Sequence, residues 1–252
     1  NTLENSDASV YQYSSSLNSN STTFISASKN FTPATSQEAS MPFSVESNIV
    51  FPNRVRQGEY HTIRYDDTST RNNYPLMLTS SMFGMHTAVD TTPAQTTWDA
   101  NDYANFVVLA EKPSLFSSDA RFVLTGTAGG FIPALSSSYY TDVYKDTNWS
   151  FLVSLYPKAY PNANEVSGTK INSDYVVEFS GINRVLDSSV TEFTVTGTMT
   201  ADEATKFLAS PKRIFAGAHR TNFTGSLLTA ADIKFNTIRA WQNKLSMDDL
   251  RI

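Results

Sequence analysis

Apolar residues recur at every second position in several segments of this chain, and this alternation constrains its fold more than any other feature. The clearest examples are "FSVESNIVF" and "WSFLVSLY", whose apolar residues of one parity are Phe43, Val45, Ile49 and Phe51, and Trp149, Phe151, Val153 and Leu155. A period of two places these side chains on one face of an extended strand and polar side chains on the other. The two segments therefore predict half-buried β-strands.

Two further segments, "DYVVEF" and "EFTVTGTM", alternate in the same way and follow each other along the chain. Their apolar residues of one parity are Tyr175, Val177 and Phe179, and Phe193, Val195 and Met199. Because a loop's length separates the segments, we predict that they pair as antiparallel neighbours. Shorter runs rich in β-branched and aromatic residues indicate more buried strands, namely "PLMLTSSMFGMHTA", "ANFVVLAEK" and "ARFVLTGT".

Helical signals are scarce. In "TADEATKFLAS", Thr200 precedes Glu203 by three residues, which is the spacing of a capping box, and "SMDDL" after Ser246 predicts a second short helical turn. About ten or more strands with one or two short helices predict an all-β chain, in which two antiparallel sheets pack face to face as a β-sandwich.

Composition limits the partners that such a chain can have. The 252 residues carry a formal net charge of -5, so there is no basic excess to hold a phosphate backbone, and nucleic acid is not an expected partner. The absence of cysteine excludes a disulfide framework and a thiolate zinc site. No run of apolar residues is long enough to predict a membrane span.

The chain is expected to contain one domain. Residues 1–40 are rich in Ser, Thr and Asn, which predicts a linker or edge strands, and the sandwich is expected to occupy residues 41–252. Because the chain begins at Asn1 rather than Met and stops directly after a helical turn, we expect it to be a segment of a longer protein.

Two of the three histidines lie in segments that echo each other. "LTSSMFGMHTA" and "LASPKRIFAGAHRT" share the order Leu, Ser, Phe, Gly, His, Thr, and each glycine predicts close approach of a neighbouring strand or a large side chain. His86 and His219 are interpreted as structural strand residues, because neither has an acid or base at a recognisable catalytic spacing. The sequence leaves open whether the fold brings a partner to either one.

The C-terminal segment "FTGSLLTAADIKFNTIRAWQNKLSMDDL" combines a glycine turn, a strand with a parity slip near Asn236, a tryptophan and a short helical turn. It resembles the closing strand of concanavalin A-like and laminin G-like sandwiches. The strands "FSVE", "SMFG", "NWSFLVSLYP" and "IFAGAHR" also follow the order of that family. The resemblance covers roughly residues 41–251 and implies a concanavalin A-like jelly roll.

More narrowly, the order of the segments resembles concanavalin A-like domains inside large virion structural proteins of marine tailed bacteriophages. This resemblance implies a non-enzymatic module located in a virion, with a structural, decoration or host-attachment role. Its implied partners are neighbouring virion proteins and host surface glycans. The alternatives are a glycan-binding adhesin domain, extracellular or at a cell surface, and a divergent glycoside hydrolase.

The sequence predicts no catalytic site. Retaining hydrolases of the concanavalin A-like family carry a Glu-x-Asp-x-Glu pattern, and this chain has none. Its nearest acids of one parity, Asp174 and Glu178, are explained more simply by a solvated strand face. There is no G-x-S-x-G elbow, and Gly129 and Gly130 are not followed by the lysine of a phosphate-binding loop.

Two polar loops that contain aromatic residues are the candidate binding sites for a glycan or a protein partner, because flat rings lie beside hydrogen-bonding side chains there. Their candidate residues are Trp98, Asp99, Asn101 and Tyr103, and Tyr139, Tyr140, Asp142 and Tyr144. No cofactor is predicted. Calcium is the one metal considered, with Asp99, Asp102, Asp142 and Asp146 as possible ligands, but Asx-rich turns explain these residues more simply.

Overall fold

The structure is a computed structural model of the chain. It describes residues 42–53, 77–87, 104–126, 132–158, 166–167, 170–171, 174–185, 188–209, 212–220, 227–241 and 243–250. The predicted linker at residues 1–40 lies outside the described residues, as do Gly129 and Gly130, so the predicted domain boundary stays a prediction.

The described residues form short and long strands with two short helices. In chain order, strands β1 to β14 are Phe43–Phe51, Thr79–Thr87, Ala104–Glu111, Arg121–Thr125, Leu135–Ser136, Thr147–Pro157, Val166–Ser167, Lys170–Ile171, Tyr175–Val185, Ser188–Met199, Lys212–Ala216, His219–Arg220, Leu227–Thr229 and Lys234–Trp241. The helices are α1, Ala201–Ala209, and α2, Met247–Leu250. Neither of these helices is long enough to cross a membrane.

Two antiparallel sheets of five strands each make up the sandwich. The first sheet has the order β10-β9-β6-β1-β14, and the second has the order β11-β2-β3-β4-β5. Strands β9 and β10 pair antiparallel over most of their length, which confirms the predicted pairing of "DYVVEF" with "EFTVTGTM". The prediction of an all-β, two-sheet sandwich with short helices is confirmed.

The core lies between the two sheets and is built from the residues that the alternation selects. Strand β1 buries Phe43, Val45, Ile49 and Phe51, and β6 buries Trp149, Phe151, Val153 and Leu155, all in one cluster with apolar residues of the second sheet. Burial of each large apolar side chain stabilises the fold by about 1.5–3 kcal/mol. Residues of the opposite parity are therefore left to the outer face of the first sheet.

Strand β14 carries an irregularity that decides which of its side chains face outward. Ile49 of β1 pairs with Phe235, whereas Asn48 pairs with Thr237, so Asn236 is the extra residue of a bulge. This confirms the parity slip predicted near Asn236. Beyond the bulge, Arg239 lies opposite Glu46 and Trp241 opposite Ser44. Both residues consequently share the outer face with their partners.

Both helices begin as the sequence predicts. At α1, the backbone N–H of Thr200 donates to the Glu203 carboxylate and the backbone N–H of Glu203 donates to Thr200 Oγ1, which completes the capping box. At α2, the backbone N–H and the hydroxyl of Ser246 both donate to the carboxylate of Asp249, at 2.7 and 2.8 Å. The side-chain bonds at both starts are local, which is why the sequence alone predicts them.

Gly84 of β2 lies where no side chain fits. A Cβ atom there would come within 2.5 Å of both the backbone oxygen of Phe106 and the ring of Phe215. This confirms the predicted close approach at the first of the two echoed glycines. The pairing of β2 with β3 and β11 therefore requires a glycine at position 84.

Gly84→Ala is expected to lower the free energy of unfolding by about 1–3 kcal/mol or more, because the backbone of β3 cannot move aside. Urea denaturation measures the change. Gly197→Ala is the matched control, since the three atoms nearest to its added Cβ belong to the side chains of Pro133 and Leu135. Equal losses for the two variants would contradict the importance of the Phe106 backbone contact.

Candidate functional site

A groove of about 380 Å³ opens on the outer face of the first sheet. Its polar lining comes from strands β1, β6, β9 and β14 and from α2, with the residues Glu46, Ser47, Asn48, Asn148, Ser150, Arg184, Thr237, Arg239 and Asp249. Most of these lining residues lie on strands and alternate along the chain with residues that point into the core. The groove therefore follows directly from the alternation that builds the core.

Cross-strand pairing fixes the spacing of the groove residues. Asn48 pairs with Ser150 across β1 and β6, and Ser150 pairs with Ile182 across β6 and β9. The side-chain amide of Asn48 donates to Ser150 Oγ at 3.0 Å, and the amide of Asn236 donates to Asn48 Oδ1 at 2.6 Å. These bonds hold the floor of the groove in one arrangement.

The segment at residues 243–250 covers the neighbouring part of the same face and forms one wall of the groove. Leu250 packs against Leu152 and Ile182. Two strand hydroxyls hold the segment: Ser44 Oγ accepts from the backbone N–H of Leu245 at 3.0 Å, and Ser154 Oγ donates to the Leu245 carbonyl at 3.0 Å. The covered part and the open groove thus share one sheet face.

Charged residues in the groove differ in how they are paired. Arg239 makes an ion pair with Glu46, whose side chain is only 11% exposed. The hydrogen bond from the Ser246 backbone, followed by that from its hydroxyl, lowers the pKa of the Asp249 carboxyl. Among the described residues, the buried Nε of Arg184 has no hydrogen-bond partner.

Trp241 presents an apolar ring beside the groove. It is 41% exposed and lies on the same sheet face as Arg239, whose guanidinium is 5.9 Å from the centre of the ring. An exposed tryptophan next to guanidinium and amide groups combines a flat apolar surface with directed hydrogen-bond donors.

Of the loop residues predicted from sequence, Tyr139 and Asp142 lie at the surface. Tyr139 is 47% exposed, and the guanidinium of Arg121 is 5.3 Å from its ring centre. Asp142 accepts from Lys145 Nζ at 2.8 Å and from Ser118 Oγ at 3.0 Å. These bonds occupy its Oδ1 within the loop itself.

The other two aromatic residues of this loop pack inward. Tyr140 stacks on Phe122 and Phe193, and burial raises the pKa of its phenol. Tyr144 is fully buried and its hydroxyl donates to Asp232 at 2.9 Å. Tyr144 is therefore a core residue in this structure and presents no ring to a surface ligand, contrary to the expectation of an exposed loop aromatic.

The second predicted loop, with Trp98, Asp99, Asn101 and Tyr103, lies outside the described residues, as does Asp102. Within the described part of the chain, no group of three or more metal-ligating side chains comes together. Asp146 Oδ1 accepts from the backbone N–H of Asn53 at 3.0 Å, so this carboxylate connects its loop to the chain just after β1.

The fold brings His86 and His219 together, which the sequence left open. Their rings are 5.2 Å apart, and Phe215 lies 5.0 Å from His219 in a stacked arrangement and 5.4 Å from His86. Both histidines are buried. Their position within a packed aromatic group agrees with the interpretation of both as structural strand residues.

The groove residues were not predicted from the sequence. One signal in the sequence could have indicated them. Glu46 and Asn48 have the parity opposite to the core residues of β1, and they share a sheet face with Arg239 once the parity slip at Asn236 is taken into account. Which of these residues line an open groove depends on where residues 243–250 pack, and the sequence pattern does not encode that.

A scan against models of known protein families finds no match, and a search of curated proteins finds none either. Solved structures similar to this chain include the CBM40 module of the Ruminococcus gnavus IT-sialidase, with a TM-score of 0.43, 10% identity, and coverage of 99% of this chain and 94% of that one. A second is an alginate lyase from Pseudomonas aeruginosa, with a TM-score of 0.39, 8% identity and 81% of this chain covered. The chain spans only 65% of the lyase's length.

A third similar structure is the CBM2 module of the evolved Dit of Lactobacillus casei BL23 phage J-1, with a TM-score of 0.32 and 9% identity over 81% of this chain and 60% of that one. At these low identities and TM-scores, the comparisons assign neither an activity nor a ligand to this chain.

Proposed function

We propose that this chain is a non-enzymatic, lectin-like module that binds a glycan in the groove on the outer face of the first sheet. The observation that carries the proposal is an open polar groove of about 380 Å³ with Trp241 exposed beside it. A sugar presents hydroxyls around its edge and C–H groups on its faces. Planar amide and guanidinium groups suit the hydroxyls, and a tryptophan ring suits the faces.

The carboxylates of the groove support binding over cleavage. A glycosidase needs a carboxylic acid with a raised pKa to protonate the leaving oxygen. Hydrogen bonds from Ser246 lower the pKa of Asp249 instead, and Glu46 is held in an ion pair with Arg239. Asp249 is therefore not suited to donate a proton at neutral pH.

We place the module in a virion structural protein, where it would serve structure, decoration or host attachment. This part of the proposal depends on the resemblance of the segment order to such proteins. Immunogold labelling of purified phage particles with an antibody to this chain would test it. Labelling of intact bacterial cells instead would favour an adhesin at the cell surface.

Trp241→Ala and Asn48→Ala are each expected to weaken glycan binding about tenfold or more, because Asn48 lines the groove, Trp241 lies beside it, and each contact is worth about 1.4 kcal/mol or more. A glycan array with the whole 252-residue chain identifies the ligand, and isothermal titration of each variant gives the loss. Tyr139→Ala is the matched control, since it removes an equally exposed aromatic ring from the other candidate site.

Loss of binding in Tyr139→Ala, with no loss in Trp241→Ala, would indicate that the glycan binds at the loop that carries Tyr139. It would contradict the proposal that the glycan binds in the groove. Release of reducing sugar from a bound polysaccharide would contradict the non-enzymatic role. Repeating the array with a chelator tests calcium directly.

A further inference from the structure

We infer that the groove recognises an anionic sugar, one that carries a carboxylate or a sulfate, and that Arg184 binds the anionic group. This inference rests on the proposed function. It concerns which class of glycan the groove takes.

Arg184 lies near the end of β9, two residues after Ile182, and both residues line the groove. Its Nε is buried, yet it has no hydrogen-bond partner among the described residues. A guanidinium stays charged at all physiological pH values and offers five donors in a planar fork. Arg184 as a whole is partly exposed, but leaving its buried Nε–H without an acceptor is costly, so an acceptor from a ligand would be favoured.

The acids of the groove have other partners. Glu46 is held by Arg239 from the neighbouring strand, and Asp249 accepts two hydrogen bonds from Ser246 at the start of α2. The lining therefore contains two arginines and two acids. Glu46 Oε1 makes no hydrogen bond, but Glu46 has Arg239 as its ion-pair partner, whereas Arg184 has no ion-pair partner among the described residues and its Nε makes no hydrogen bond. The preference for an anion comes from this local imbalance rather than from the net charge of the groove.

An oxyanion suits this position for geometric reasons. A carboxylate or sulfate can accept two parallel bonds from a guanidinium, and such charge-assisted bonds are about twice as strong as neutral ones. Asn148 and Ser150 line the same groove and carry neutral hydrogen-bonding groups for the sugar hydroxyls. The formal net charge of -5 gives the chain no general attraction for anions, so a preference for an acidic glycan would come from a local group such as Arg184.

The test compares polysaccharides that share a backbone and differ in charge: polygalacturonate against its methyl ester for the carboxylate, and dextran sulfate against dextran for the sulfate. The native protein is expected to bind the acidic member of at least one pair about tenfold more tightly, which corresponds to one good charge-assisted interaction. The pair that shows the preference identifies the anionic group.

Arg184→Gln is expected to remove the preference for the acidic member, and Arg184→Lys to keep part of it. Arg121→Gln is the matched control, because it removes an arginine from the second sheet, where Arg121 pairs with Glu111. Circular dichroism melting curves check that each variant is folded.

Equal binding of both members of every pair, or an unchanged preference in Arg184→Gln, would overturn the inference. If neutral glycans bind and Trp241→Ala removes that binding, the inference fails and the proposed function stands. If the native protein binds no glycan at all, both fail.

Discussion

Asp232→Ala is expected to lower the free energy of unfolding by about 3–5 kcal/mol. The Asp232 carboxylate is buried and accepts from Lys112 Nζ at 3.4 Å and from the Tyr144 hydroxyl at 2.9 Å. Lys112 Nζ also lies 3.7 Å from the centre of the Tyr144 ring. Removing the carboxylate takes the counter-charge away from a buried ammonium group.

The Asp232 network also joins separate parts of the chain. The backbone N–H of Asp232 donates to Ser80 Oγ at 2.9 Å, so β2, the end of β3, the loop before β6 and the segment before β14 meet at one residue. Loss of Asp232 is therefore expected to weaken the attachment of β14 to the sandwich, in addition to the direct electrostatic loss.

Urea denaturation followed by tryptophan fluorescence measures the effect. Lys145→Ala is the control, because its surface pair with Asp142 is about half exposed and such pairs contribute about 0–1 kcal/mol. The double variant Asp232→Ala with Lys112→Met should recover part of the loss, since it removes both buried charges. A loss of less than 1 kcal/mol in Asp232→Ala would contradict the role of this pair.

Phe122→Ala is the second change with a large expected effect, a loss of about 3–5 kcal/mol. The Phe122 ring is fully buried at the centre of the aromatic core. Its ring centre lies 4.7 Å from those of Trp149 and Phe151, and 5.7 Å from those of Phe51 and Phe193. Because aromatic rings surround it, the cavity left by the substitution cannot collapse easily.

Phe116→Ala is the matched control for Phe122→Ala, because the Phe116 side chain is 49% exposed and its loss should change stability by about 0.5 kcal/mol at most. Thermal unfolding followed by circular dichroism compares the two variants. A Phe122→Ala protein as stable as Phe116→Ala would mean that the aromatic cluster is not packed as described.

The sequence predicted those parts of the fold that depend on local patterns. Alternation in "FSVESNIVF" selected the buried face of β1 correctly, and the parity slip near Asn236 corresponds to the bulge in β14. The spacing of Thr200 and Glu203 predicted the start of α1. Each of these features is encoded within a few consecutive residues.

Features that depend on contacts distant in sequence escaped prediction. The Lys112–Asp232 pair joins residues 120 positions apart, and no pattern in the chain marks it. The polar neighbours of Tyr144 made it a candidate binding residue, but its hydroxyl donates to Asp232 and its ring lies in the core. The groove likewise depends on where the segment at residues 243–250 packs against Ser44 and Ser154.

The most direct test of the central claim is to map a bound glycan by NMR, following side-chain signals during titration with the tightest ligand from the array. Binding in the groove predicts shifts of the Arg184 Nε–H, the Asn48 and Asn148 amides and the Trp241 indole, with the signals of Tyr139 unchanged. Shifts confined to Tyr139 and its loop, with the groove signals unmoved at saturation, would contradict the account.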